Sequence, residues 1–143
     1  MNLMRAVLDT SVLVAGLRNR LGASNALLAR VASGEVVPLV TTALFLEYEE
    51  VLLRAEHRLA TGMSEADVAG FLAALASAAE GVDVHFQWRP QLRDPADEMV
   101  LGAAVNGRAE ALVTHNVSDF AEAGRRFGLR VVTPGDLLKE LKS

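Results

Sequence analysis

Cysteine is absent from the 143-residue chain. That excludes disulfides, thiol catalysis and thiolate metal ligation together, and it fits a reducing cytoplasm. Histidine is scarce. His57, His85 and His115 lie far apart and lack the i,i+4 spacing of a zinc-binding helix. A basic excess is also missing: the formal net charge is −4, which argues against a tight, sequence-independent nucleic-acid binder. It leaves room for an enzyme that holds its substrate briefly, because a carboxylate metal site is itself negative until the cation arrives. No uncharged apolar stretch approaches the roughly 18–20 residues needed to cross a bilayer, so no membrane association is expected. The run behind Arg5 is short and breaks at Asp9, so it reads as a first strand and not a signal peptide. Repeats, low-complexity tracts and linkers are lacking too.

What remains is a globular composition, with 51% hydrophobic and 22% charged residues. The length suits one domain over 1–143 with a sizeable core. Short apolar runs alternate with helical stretches. Ala6–Leu8, Val36–Val40, Val82–Phe86, Ala111–Thr114 and Arg130–Thr133 read as strands, the third as an edge strand. Residues 42–54, 65–79, 95–107 and 134–142 read as helices, the last opened by a Thr133 cap and Pro134. Residues 56–64 read as a loop or hinge, and a short helix is expected to bury Phe120 and Phe127. Such alternation predicts an α/β fold with a mostly parallel sheet covered by helices on both faces. Ligand crevices in such folds lie at the carboxyl ends of the strands.

Acids accumulate at those ends. Asp9 follows the first strand, where it serves either as a helix N-cap or as a functional carboxylate. Glu47 sits at the border of the stripe formed by Leu44, Tyr48, Val51 and Leu52; the alternative is a snorkelling surface glutamate. Asp97 shares its helix face with Val100, Leu101 and Ala104 and therefore points at the sheet, whereas Asp94 before Pro95 is better placed to cap. The fourth strand delivers Thr114, Asn116 and Asp119, of which Asp119 is equally a helix-capping candidate. Converging acids without cationic partners repel one another, and a hard divalent ion relieves that penalty. Oxygen-only ligands favour Mg²⁺ or Mn²⁺ over zinc.

The stretches Val7–Leu13, Leu46–Leu52, Asp94–Glu98 and Val113–Phe120, in this order and spacing, resemble the PIN-domain family, in particular its bacterial toxin-like, VapC-related branch. The resemblance spans nearly the whole chain. It implies a three-layer α/β/α sandwich and a Mg²⁺- or Mn²⁺-dependent ribonuclease site. Asp9, Glu47 and Asp97 match the family's three principal acids, and Thr10 or Ser11 its usual hydroxyl. Asn116 stands where many relatives carry a fourth aspartate, which puts a second metal position in doubt; Asp119 is the residue that could compensate. The branch further implies an RNA substrate, a small antitoxin partner, a homodimer and a cytoplasmic location.

The expected chemistry is hydrolysis of an RNA phosphodiester by a metal-activated water. Asp9, Asp97 and Glu47 hold the cation, with Asp119 as a further candidate. Thr10, Ser11, Thr114 and Asn116 position the phosphate or ligand waters, and Arg18, Arg54 or Arg93 guide the strand. Two rivals stand beside it. A catalytically degenerate binding module is suggested by Asn116. Phosphoryl transfer through an aspartyl-phosphate needs a second acid where Ser11 stands and a lysine after a later strand, yet no lysine precedes Lys139.

Overall fold

The computed structural model describes residues 3–88 and 90–141. Met1, Asn2 and Lys142, the expected end of the last helix, lie outside the described residues. Five strands form one sheet: β1 (Met4–Leu8), β2 (Val36–Val40), β3 (Glu80–Gly81), β4 (Ala111–Val113) and β5 (Val131–Val132). Their order is β3-β2-β1-β4-β5 and every pairing is parallel. Eight helices accompany them among the described residues: α1 (Thr10–Arg18), α2 (Ala23–Ala32), α3 (Thr42–Leu52), α4 (Ala55–Thr61), α5 (Glu65–Ala78), α6 (Pro95–Asn106), α7 (Val117–Phe127) and α8 (Pro134–Leu141).

β1 and β4 are the centre of the core. Ala6, Val7 and Leu8 of β1 and Ala111, Leu112 and Val113 of β4 are fully buried, because successive side chains point to opposite faces and helices cover both. The chain runs from β1 outward to β2 and β3, then crosses back to β4 and β5 on the other side of β1. Right-handed crossovers in opposite directions place their helices on opposite faces, which makes the three layers. α2 packs on β2 and against α5 and α8, while α6 packs on β1, β2 and β4 and against α7. The order therefore reverses between β1 and β4, and a crevice opens outside their carboxyl ends.

α1 and α2 approach closely through Gly16, where a Cβ would lie 2.6 Å from Leu28 Cδ1. Pro38 is tolerated within β2 because β3 pairs only from Leu39 onward, so no ladder bond is lost on that side.

Two expectations about local structure need correction. The 56–64 stretch is mostly helix: α4 ends at Gly62, whose φ of 75° suits glycine. Ser64 and Asp67 then start α5 with reciprocal capping bonds. The 82–86 stretch is not a strand. β3 is indeed at the edge, but it comprises Glu80–Gly81, and after Val82 N donates to Val40 O at 2.9 Å the neighbouring strand has ended. Asn106 takes over: its Oδ1 accepts from His85 N at 2.9 Å and Phe86 N at 2.7 Å. No single helix among the described residues is long and apolar enough to cross a membrane.

Candidate active site

Asp9 stands at the N-cap position of α1, yet its side chain makes no capping bond. Asp9 is 6% exposed. Ser11 Oγ donates to its Oδ2 at 2.8 Å, and Thr114 Oγ1, from the end of β4, donates to the same oxygen at 2.7 Å. Thr114 is wholly buried and in turn accepts from Asn116 N at 2.9 Å. Among the described residues no donor engages Oδ1. Two hydroxyls thus fix the carboxylate's orientation, and one oxygen is kept for something else. From behind, the Tyr48 hydroxyl donates to Leu8 O at 2.5 Å and ties α3 to the end of β1. Burial, reinforced by the Asp9 charge, pushes the Tyr48 pKa well above its usual value, so the phenol stays a donor.

Asp97 lies in the first turn of α6. Burial raises its pKa to about 6, with further contributions from Asp9, Asp94, Asp119 and Glu98 in that order. Every charge acting on it is negative. Asp94 caps the helix as expected, accepting from Ala96 N at 2.9 Å. Glu98 turns away to accept from the backbone N–H groups of Gln91 and Leu92.

Asp9 and Asp97 line one groove of about 530 Å³ together with Thr10, Ser11 and Asn116. Asn116 is the N-cap of α7 but its side chain makes no capping bond. The remaining candidates lie elsewhere. Glu47 is half-buried on α3 and does not line the groove. Asp119 lines an adjoining cavity with Arg93, although its charge reaches Asp97. Among the described residues, no three His, Asp or Glu side chains approach closely enough to enclose a metal ion. Of the rim arginines, Arg18 lines the groove, whereas Arg54 is paired with Glu50 at 2.7 Å. The sequence reading missed two features, the Tyr48 hydroxyl and His57 in the groove lining; His115, whose backbone N–H donates to Ser11 Oγ at 3.5 Å, has its Nε2 2.6 Å from Ser24 Oγ. Only Tyr48 carried a signal, since a buried tyrosine needs a partner for its hydroxyl.

The donor set fits a hard divalent cation. It is all oxygen, one carboxylate oxygen has no donor among the described residues, and the second acid is held up by uncompensated negative charge. The chain matches the PIN domain family over residues 5–118. It belongs to that family. PIN domains are generally metal-dependent nucleases and typically use divalent metals, in keeping with the donor chemistry of this groove. Within this PIN domain the matched span includes Asp9, Thr10, Ser11, Glu47, Asp97, Thr114 and Asn116, and ends one residue before Asp119. No curated protein matches the chain.

Proposed function

We propose that this PIN domain is a Mg²⁺- or Mn²⁺-dependent endoribonuclease of the toxin-like, VapC-related branch, hydrolysing RNA phosphodiesters. The observation that supports it best is the Asp9 carboxylate, buried, held by Ser11 and Thr114 on one oxygen, and sharing a groove with Asp97. Asp9 and Asp97 would hold the cation. Glu47 and Asp119, set back from this pair, would act through intervening waters. The cation supplies Lewis acidity toward the phosphate and makes water easier to deprotonate.

The chain's own groups do the rest. Ser11 and Thr114 hold Asp9 in one orientation as the substrate enters. Asn116 offers an amide that both donates and accepts, which suits a phosphate oxygen or the attacking water but adds no charge. Water attacks phosphorus, the P–O bond to the leaving ribose oxygen breaks, and that oxygen takes up a proton. On this reading the whole chain acts as one nuclease domain in the cytoplasm, as a homodimer held in check by a small antitoxin protein, as toxin-like relatives commonly are.

The test is cleavage of single-stranded RNA with Mg²⁺ or Mn²⁺, with chelator as control. Asp9→Asn should abolish cleavage while the variant keeps its fold by circular dichroism; a folded, active Asp9→Asn protein would overturn the reading. Glu47 standing outside the groove and the uncharged Asn116 favour a second reading, a degenerate module that binds RNA or protein without cutting. RNA binding without metal-dependent products would decide for it.

A further inference from the structure

The groove that contains the two acids does not stop at them. Its lining follows one face of α1 from end to end: Thr10 and Ser11, then Val14 and Ala15, then Arg18. At about 100° per residue these positions lie opposite Val12, Leu13 and Gly16, the residues α1 buries against the core. Val51 of α3 and His57 of α4 line it too, and α4 packs against α1. The groove is therefore lined by carboxylates at the N-terminus of α1, by the apolar Val14, Ala15 and Val51, and at the C-terminal end of α1 by the Arg18 guanidinium, with the His57 imidazole in the same lining.

Arg18 is exposed and has no ion pair or hydrogen bond among the described residues. Among the described residues it shares the lack of an ion pair with Arg20, Arg93, Arg108 and Arg125, whereas Arg5, Arg30, Arg54, Arg58 and Arg130 each have a carboxylate partner. At about 1.5 Å per residue, the seven residues from Ser11 to Arg18 put the cationic end roughly 10 Å from the acids. That is too far for one phosphate to touch both ends. Positive charge at that distance along a walled groove is complementary to a polyanion lying lengthwise in it.

We infer that Arg18 and His57 form a second phosphate subsite, which binds a backbone phosphate of the RNA strand on one side of the scissile one. The apolar floor takes the ribose or base between them. The inference rests on the nuclease reading for the identity of the strand. Arg18 supplies a charged, forked donor to the phosphate oxygens, and His57 an N–H in either protonation state. Neither touches the reacting phosphorus. Both are positioning residues.

The experiment measures binding of fluorescein-labelled single-stranded RNA of two and of eight nucleotides by anisotropy, across a salt series. It uses the full chain, Arg18→Ala, His57→Ala, Arg18→Lys and, as a charge-matched control, Arg125→Ala, which lies on α7 outside the groove. The affinity gained on lengthening the strand should fall about fivefold in Arg18→Ala. Its slope of log affinity against log salt should flatten by about 0.7, the loss of one single-strand phosphate contact. Arg18→Lys should restore the slope and only part of the affinity, and Arg125→Ala should behave as the parent. In cleavage of the eight-nucleotide strand the Arg18→Ala defect should appear in KM more than in kcat. If the parent cleaves RNA while Arg18→Ala or His57→Ala keeps the parent's length gain and KM, the subsite is overturned and the nuclease reading stands. If the parent neither binds nor cleaves RNA, both are overturned.

Discussion

Thr114 Oγ1 donates to Asp9 Oδ2 at 2.7 Å across 105 residues of sequence. The bond joins the ends of β1 and β4, the two strands between which the sheet reverses its order. It also converts Asp9 from a helix cap into an oriented carboxylate: with Ser11 on the same oxygen, Asp9 leaves the first turn of α1 uncapped.

Removing that hydroxyl tests the arrangement. Thr114→Val keeps the shape but strips one buried donor from Asp9 and the acceptor used by the partly buried Asn116 N. The loss should destabilise the protein by about 1–3 kcal/mol, read by urea denaturation, and Thr114→Ser should recover most of it. A Val variant within about 0.5 kcal/mol of the parent, the ordinary range for neutral surface substitutions, would mean the bond does not organise the site.

Asp97 makes a prediction with a definite sign. Its carboxyl titrates at about 6 in the fold against a reference of 3.8, so the metal-free folded state binds its proton more tightly than the unfolded chain. The stabilisation from that proton is fully present below about pH 4 and is lost as pH rises through about 6. Asp97→Asn should therefore stabilise the metal-free protein at pH 7. Because the group is partly solvated, a gain of about 1 kcal/mol is expected. Denaturation in chelator at pH 4 and pH 7 measures it, and an equal or lower stability of the variant at pH 7 would contradict the assigned repulsion.

Cation binding should reverse the same penalty. Millimolar Mg²⁺ or Mn²⁺ should raise the melting temperature of the parent by mass action, and the rise should shrink on acidification as protons compete for the carboxylate oxygens. Asp9→Asn should lose most of it. A melting temperature indifferent to metal from pH 5 to pH 8 would count against a cation site in the groove.

Several parts of this design are written in local residue patterns. Continuous apolar runs marked β1, β2 and β4, since strands buried on both faces need no polar alternation. Asp97 could be oriented from the 3.6-residue period alone, because Val100, Leu101 and Ala104 share its face and are all buried. Asp94 and Thr133 were recognisable as caps. The 82–86 stretch misled because its alternation imitates a strand, while strand pairing depends on where the neighbouring strand ends, which no local pattern records. The 56–64 stretch misled for the converse reason. α4 buries none of its residues, so its helix leaves no amphipathic stripe.

The sequence by itself determined the alternating strand–helix plan, the PIN family and the presence of acids at strand ends, because each is a matter of residue type at short range. Only the tertiary structure decided which acids share a groove, that Thr114 rather than the α1 backbone donates to the Asp9 carboxylate, and that Arg18 and His57 line the same groove as the carboxylates. These are contacts between segments many residues apart, brought together by the parallel pairing of β1 with β4 and by the packing of α4 on α1.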